Sequence, residues 1–323
     1  MKRSSFGWIL KKAGNLTLLN IVLTAVMAAV SALAVSFSLV SKNIIDIATR
    51  AGSGDMIKNI SLLVFMIILQ IILQIAASRI NIAVTGKMEI RLKGGIFNKL
   101  LKKDMLSVYK YHTGDIMNRL TNDVNSVSIG YASVIPEIVS FAVRIIFSIG
   151  VLIKLDKSFA LIYIVAAPLF LIFAKLYSNK MKKLHKKVQE TEGDTRSYMT
   201  EALQNLLVIK AFEKENDFSE KADEFQKFNY KAKVKRNTVS ITVNILVYMA
   251  FTFGYYFALL WGAFKISSGI LTFGGLTAML QLVGQVQTPI KGIADMLPRI
   301  FSMTASAERL MEIEALADDS LDG

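Results

Sequence analysis

Residues Leu16 to Val40 read LTLLNIVLTAVMAAVSALAVSFSLV, a mostly apolar run with small polar interruptions such as Thr24, Ser31 and Ser36. It is longer than the roughly 20 residues that a helix needs to cross the hydrocarbon core of a bilayer. It is also too long for the core of a signal sequence, and no small-residue cleavage site closes it cleanly. The run therefore predicts a membrane-spanning helix that stays in the protein.

Five further runs have a similar character. They lie at residues Ile60–Ala77, Ile135–Ile153, Phe159–Ala174, Ile241–Phe264 and Phe273–Ile290. The last run is the least apolar, because it carries Gln281, Gln285 and Gln287. Together with a mean hydropathy of +0.45 and 53% hydrophobic residues, the six runs predict an all-α membrane protein with six transmembrane helices.

The charges are distributed unequally between the two sides that six spans would define. Of the 38 Lys and Arg residues, 31 lie in the N-terminal segment, the two long connections and the tail, six lie in the short connections, and Arg144 lies within a span. The positive-inside rule then places both termini and both long connections in the cytoplasm. We expect a multi-pass protein of the plasma membrane. The net charge of +13 is explained by this topology, and no nucleic-acid partner is expected.

The two long connections, residues 79–130 and 175–240, do not have the composition of loops. Structureless connections of that length are unusual, and Lys182 to Lys235 is rich in good helix formers. An apolar stripe recurs at helical spacing, formed by Phe218, Ala222, Phe225 and Phe228. We expect the spanning helices to continue out of the membrane, by about 40 Å for 25 residues.

Four strings resemble the type 1 transmembrane domain of ABC exporters, in the order and topology of that family. They are NIIDIAT (Asn43–Thr49), IFNKLLKKDMLSVYKYHTGDIMNRLTNDVNSV (Ile96–Val127), SYMTEALQNLLVIKAFEKEN (Ser197–Asn216) and SAERLMEIEAL (Ser306–Leu316). The resemblance covers about residues 15–316. It implies a cytoplasmic N-terminal segment over residues 1–14, the transmembrane domain over 15–310, and a linker toward a nucleotide-binding domain over 311–323.

The resemblance also implies two short coupling helices that dock on an ATPase domain. The first would lie near Gly114, Asp115, Arg119 and Asp123, with Gly114 allowing a turn and Asp115 capping or charging the helix that follows. The second would lie between Glu201 and Phe212 and would include Leu206 and Lys210, on an apolar face completed by Leu203 and Leu207. The alternative is that this apolar face packs within the same chain.

The ATPase domain that drives such an exporter is missing from the sequence. No G-x-x-x-x-G-K-[ST] motif is present, and FGGL at Phe273–Leu276 is not an ATPase signature. The 323 residues end in LADDSLDG, near the position where an ATPase domain would begin, which indicates a truncated protein, a gene fragment or a subunit with a separate ATPase. We therefore expect no catalytic site and no cofactor in this chain, with ATP and Mg bound by the nucleotide-binding domain.

Polar residues within the spans are candidates for the translocation pathway. Arg144 could be a cavity charge for an anionic substrate or lipid headgroup, or half of a structural ion pair, and Glu137 lies seven residues earlier on roughly the same face. Gln70 with Gln74, and Gln281 with Gln285, are pairs spaced by four residues. These amides could join helices by hydrogen bonds or line the pathway.

The resulting hypothesis is a half-transporter. A second transmembrane half, identical or related, would complete the pathway, and an ABC ATPase domain on each half would drive export of a hydrophobic or amphipathic compound, lipid or peptide by alternating access. The rival functions are a six-span ion channel, which lacks its arginine-rich helix and filter loop here, and an ATPase-free permease or membrane adaptor. The absence of cysteine excludes disulfides and thiol chemistry, and neither histidine has a partner at metal-ligand spacing.

Overall fold

A computed structural model describes residues 5–319, without the side chains of residues 166–174 and 294. The described chain is helical almost throughout and contains no β-strand beyond one isolated bridge between Lys103 and Asp318. The helices are α1 (Ser5–Ala13), α2 (Leu16–Ala48), α3 (Met56–Leu100), α4 (Met105–Tyr109), α5 (Thr113–Asn118), a π-helical turn (Arg119–Asp123), α6 (Val124–Leu155), α7 (Lys157–Gln204), α8 (Leu206–Ala211), α9 (Glu215–Ser267) and α10 (Phe273–Glu314).

Each predicted span lies inside one of these helices, and the helices continue well beyond the spans. Within the described residues, four helical stretches are long and apolar enough to cross a membrane. They are Leu16–Ala48, Met56–Leu100, Thr113–Leu155 and Glu215–Ser267. The predicted sixth span lies in α10, which is not among the four, and most of the fourth lies outside the described side chains. The count of six spans therefore stays a prediction.

The most apolar windows of those four stretches are hardly covered by the rest of the chain. Only 28%, 6%, 11% and 6% of their residues are buried. In water such surfaces would be a large exposed apolar area, which soluble monomers avoid. Because helices satisfy their own backbone hydrogen bonds, these stretches suit a lipid environment, and membrane-spanning helices are the consistent interpretation.

The chain divides into two compact units. The first comprises residues 5–160 and 258–319, and the second comprises residues 161–257. The core of the first unit lies toward the end of the helices that carries both described termini, where α1, α3, α6 and α10 meet. Its fully buried side chains include Met88, Leu92, Val127, Met303 and Leu310.

Hydrogen bonds between polar groups fix the register of α2 on α6. Asn20 Nδ2 donates to the carbonyl oxygen of Tyr131 over 2.8 Å. Further along the same two helices, the hydroxyls of Ser31 and Ser140 are hydrogen-bonded at 2.7 Å. The two pairs have nearly the same offset along the chain, which shows that α2 and α6 run parallel.

At the other end of the first unit, the start of α10 meets the end of α2. Thr272 caps α10 by accepting a hydrogen bond from the amide of Gly275 at 3.0 Å. Asp46, which is buried and paired with Lys42 at 2.7 Å, accepts from the amide of Gly274 at 3.1 Å. A carboxylate at a helix N-terminus is favourable, because the free amides and the helix dipole attract negative charge.

Replacing Gly274 by alanine is expected to destabilise the protein by about 2 kcal/mol, the usual cost of overpacking a rigid site. A Cβ at this position would overlap the backbone carbonyl oxygen of Lys42 and the carboxylate of Asp46. Gly284 on the same helix has open space around its Cβ position, so Gly284→Ala should be neutral or stabilise by up to about 1 kcal/mol. Thermal unfolding of both variants in detergent would contradict this packing if their midpoints moved equally.

The second unit is a long antiparallel helical hairpin of α7 and α9, closed at its tip by α8. Tyr198 of α7 stacks on Phe218 and Phe225 of α9, with ring centroids 6.0 and 5.1 Å apart. Glu192 pairs with Lys233 at 3.4 Å. The predicted helical extension and most of its apolar stripe are therefore present. Phe228, the last residue of that stripe, is exposed instead.

Candidate coupling surfaces and pathway residues

The first candidate coupling segment is a short helix followed by a π-helical turn, without the expected glycine turn. Gly114 is the second residue of α5 and is exposed. The residue before the helix, His112, makes no side-chain cap. Asp115 lies in the first helical turn, where its charge is favourable, and its carboxylate accepts a hydrogen bond from Arg119 Nε at 3.0 Å.

Arg119 and Asp123 are buried against α10 of the same chain. Arg119 donates to the carbonyl oxygen of Arg309 at 2.8 Å and to Glu312 at 3.0 Å. Asp123 accepts from Arg309 Nε at 2.8 Å, from a second Arg309 nitrogen, and from Ser306 at 2.9 Å. The Asp123 carboxylate raises the pKa of Arg309. These two side chains therefore tie the segment to α10 and do not face solvent.

A second ion-pair cluster, here called the Glu314 clamp, holds α1 and α3 to the end of α10. Glu314 accepts hydrogen bonds from Trp8 Nε1 at 2.6 Å and from the ammonium groups of Lys12 and Lys99. Burial alone would raise the pKa of Glu314, but these hydrogen bonds outweigh it and lower the pKa to about 2. No local sequence spacing indicates this cluster, because Glu314 lies more than 200 residues from each of its three partners.

Glu314→Gln is expected to lower the unfolding temperature at neutral pH and to lose that effect in acid. The folded pKa lies below the ordinary value of 4.5, so the charged clamp contributes fully above about pH 4.5 and is lost as the pH falls toward 2. Glu308→Gln is the control, since Glu308 lies on the same helix, is exposed and accepts a hydrogen bond from Ser5 at 3.2 Å. A wild-type-minus-variant difference that stayed constant between pH 7 and pH 3 would contradict the clamp.

The second candidate coupling segment is α8 with its flanks at the tip of the hairpin. Ile209 is buried and anchors α8, while its neighbours turn outward. Glu201, Leu206, Lys210 and Phe212 are all exposed. Beside them a groove of about 350 Å³ is lined by these flanks, including Val208, Ile209, Phe212 and Phe218.

We call Leu203, Leu206, Leu207 and Phe212 the tip patch. Leu207 is 85% exposed and Phe212 is 72% exposed. No other described part of the chain covers these side chains, which leaves the alternative of packing within the chain without support. A contiguous apolar surface in an otherwise charged segment is typical of a protein interaction site.

The first segment also has exposed apolar residues that the sequence analysis missed. Met105, Leu106 and Tyr109 of α4 are exposed, as is Met117 of α5. The sequence feature that indicates the α4 surface is the string MLSVY, which lies outside the predicted spans. In it Leu106 directly follows Met105, and Tyr109 lies four residues after Met105. Asp104 caps α4 by accepting a hydrogen bond from the amide of Ser107.

Of the four glutamines predicted as pathway residues, one joins two helices and three form no such bond within the described residues. Gln285 Nε2 donates to the carbonyl oxygen of Ala34 at 3.4 Å, which links α10 to α2. Gln70 is half-buried, while Gln74 and Gln281 are exposed, and none of the three forms a side-chain hydrogen bond within the described residues. The amide at position 285 thus acts as a helix connector.

Arg144 and Glu137 do not pair with each other. Glu137 binds Arg299 of α10 through both carboxylate oxygens, at 2.9 and 2.7 Å. Arg144 is half-buried, and its Nε is fully buried without a hydrogen-bond partner in the described part of the chain. The described residues also contain no cluster of three or more His, Cys, Asp or Glu side chains that could hold a metal ion.

Comparisons with known proteins agree on one family. The model of the family described as ABC transporter transmembrane region matches residues 18–290. Across 288 residues the chain is 27% identical to the serine protease/ABC transporter B family protein tagA of Dictyostelium discoideum, covering 87% of this chain and 16% of that protein.

Two bacterial relatives show the same kind of partial coverage. The multidrug resistance-like ATP-binding protein MdlA of Buchnera aphidicola is 24% identical over 83% of this chain and 47% of its own length. The fatty acid ABC transporter ATP-binding/permease protein of Mycobacterium bovis is 21% identical over 73% of this chain and 37% of its own length. The chain therefore spans less than half the length of each of these relatives.

Proposed function

Because this chain belongs to the ABC transporter transmembrane region family, we propose that it is the transmembrane half of an ATP-driven exporter for a hydrophobic or amphipathic compound, lipid or peptide. It is a membrane-domain chain of the ABC exporter type, and no ATPase motif is found in its 323 residues. Under the proposal, ATP and Mg bind in a separate nucleotide-binding domain, and a second transmembrane half completes the pathway. The relatives whose names mention multidrug resistance and fatty acids support a lipid-like substrate.

The observation that carries the proposal is the tip patch on the hairpin of α7 and α9. A stiff pair of helices that are continuous with predicted spans, and that end in an uncovered apolar segment, suits the transmission of force from another protein. The exposed residues of α4 offer a second apolar surface in the other unit. Closure of two ATPase domains would move these segments, and the helices would carry that motion to the pathway.

The proposed topology has six spans with both termini and both coupling segments in the cytoplasm of a plasma-membrane protein. The excess of Lys and Arg on one side supports this orientation. In this arrangement Arg119 and Asp123 act by fixing the first segment to α10, whereas the tip patch and the residues around Gly114 face the ATPase domain.

The test is reconstitution of the chain in liposomes together with the ABC nucleotide-binding domain encoded by the same organism. ATP hydrolysis and the ATP-dependent movement of fluorescent amphiphiles would be followed together, with nitrobenzoxadiazole-labelled phospholipid, a fluorescent fatty acid and a cationic dye as probes. The expected result is movement of at least one probe that requires ATP and is inhibited by vanadate. Movement at the same rate without ATP would overturn the proposal in favour of a permease.

A further inference from the structure

Arg144 lies in a helix that is predicted to span the membrane, and no described residue supplies a counter-charge to it. It lies on the packed face of α6, between Ser140 and Ser148, which are one turn away on either side and are both buried. Its Nε is inaccessible and has no hydrogen-bond partner among the described residues. Charged side chains within a membrane span usually face a water-filled cavity or another charge. The described surroundings of Arg144 lack such a charged partner.

The obvious internal partner is already used. Glu137 on the same helix is saturated by the bidentate bond to Arg299, and no described carboxylate lies within ion-pair distance of Arg144. Buried polar groups are almost always satisfied. An uncompensated guanidinium therefore indicates that the missing partner comes from outside this chain.

The surroundings of Arg144 combine polar atoms with apolar surface. The register of α2 on α6, set by the Ser31–Ser140 bond, places the level of Arg144 about one turn beyond Ser31, near Ala34, whose carbonyl oxygen binds Gln285. One turn further along α6, the hydroxyl of Ser148 is buried and finds no hydrogen-bond partner in the described part of the chain. Phe147, three residues after Arg144 and thus a neighbour on the helix surface, is half exposed.

We propose that Arg144 binds the oxyanion of an amphiphile, a carboxylate or a phosphate carried on an acyl chain. The planar guanidinium matches both groups with two parallel hydrogen bonds, and the exposed ring of Phe147 and its apolar neighbours suit the chain. This inference rests on the proposed function, because it assigns a substrate class to the pathway. It adds a head-group requirement that a merely apolar pathway would not have.

Binding to the purified full chain in detergent tests the inference without ATP. The probes are palmitate, its uncharged analogue hexadecanol, and dioleoyl phosphatidate. We expect Arg144→Gln to weaken binding of the oxyanion probes about tenfold and to leave hexadecanol unchanged. Arg144→Lys, which keeps the charge, should fall between the wild type and Arg144→Gln. Lys154→Gln, an exposed position at the end of the same helix, should match the wild type.

The probes separate the two sources of the oxyanion. Preference for palmitate assigns the site to a free fatty acid, and preference for phosphatidate assigns it to a phospholipid headgroup. Equal affinity of the wild-type chain for palmitate and hexadecanol would overturn the inference even if Arg144→Gln failed to fold. Unchanged palmitate binding by folded Arg144→Gln would also overturn the inference. This holds equally if native mass spectrometry shows that the variant no longer associates with a second copy of the chain, because Arg144 would then contact that copy. ATP-driven transport that persisted alongside such a result would leave the proposed function standing.

Discussion

Leu207→Asp is expected to abolish ATP-driven transport while leaving the chain folded. Leu207 is the most exposed member of the tip patch, so the substitution removes no internal contact. A buried aspartate at the centre of a protein interface would cost at least about 2 kcal/mol, which is about a thirtyfold loss of affinity. The measurement is ATP-dependent flux and substrate-stimulated ATP hydrolysis in liposomes that contain the nucleotide-binding domain.

Tyr230→Asp is the matched control for Leu207→Asp. Tyr230 is also a large exposed side chain of the second unit, but it lies on α9 away from the tip patch. Both variants should unfold at the wild-type temperature, and only Leu207→Asp should lose flux. If Leu207→Asp transported normally, the tip patch would not be the surface that receives the ATPase. Equal losses in the two variants would indicate a general sensitivity of the hairpin to added charge.

The long helices and the apolar composition of the tip could be predicted from the sequence, because both are local properties, whereas the exposure of the tip could not. Apolar runs of membrane length and a following stretch of helix formers fix α7 and α9 almost without tertiary information. The stripe that includes Phe218 and Phe225 follows from helical spacing alone. Phe228 has the same helical spacing but is exposed, because spacing along one helix does not report what lies opposite it.

The contacts that position the first coupling segment could not be predicted from the sequence. Asp123 meets Arg309, and Glu137 meets Arg299, across more than 160 residues. Such pairs depend on how far one helix is shifted along another. In this protein close packing contributes to that shift, as where Gly292 lies against the ring of Phe141. The π-helical turn likewise depends on tertiary contacts, and such turns often occur at functional sites.

Gly114 shows how family resemblance and local physics can point to different structures. A glycine followed by an acidic residue is typical of a turn and a capped helix start. Here the helix begins one residue earlier, at Thr113, and the Asp115 carboxylate pairs with Arg119. The ion pairs of Arg119 along α10 hold this helix in place, so local turn chemistry is not required.

Asp123→Ala is expected to destabilise the chain by about 2 kcal/mol and to weaken the attachment of the first segment to α10, which Arg119 would still hold. The Asp123 side chain is only 3% exposed, and its removal takes the carboxylate acceptor from the buried hydroxyl of Ser306 and from Arg309, whose guanidinium still donates to the Ser306 hydroxyl. Breaking a fully buried pair costs about 3–5 kcal/mol, but Arg309 is partly solvated, so a cost below that range, about 2 kcal/mol, is expected. Thermal unfolding in detergent and the yield of folded protein after size exclusion would measure the change.

Asp318→Ala separates this effect from the general loss of an ion pair. Asp318 pairs with Lys103 at 2.6 Å, but its side chain is 81% exposed, and Lys103 also donates to the carbonyl oxygen of Leu316. Exposed ion pairs contribute little to stability, so this control should unfold close to the wild type. If Asp123→Ala and Asp318→Ala were equally stable, the cluster around Asp123 would contribute no more than an exposed ion pair. It would then not hold the first segment firmly against α10.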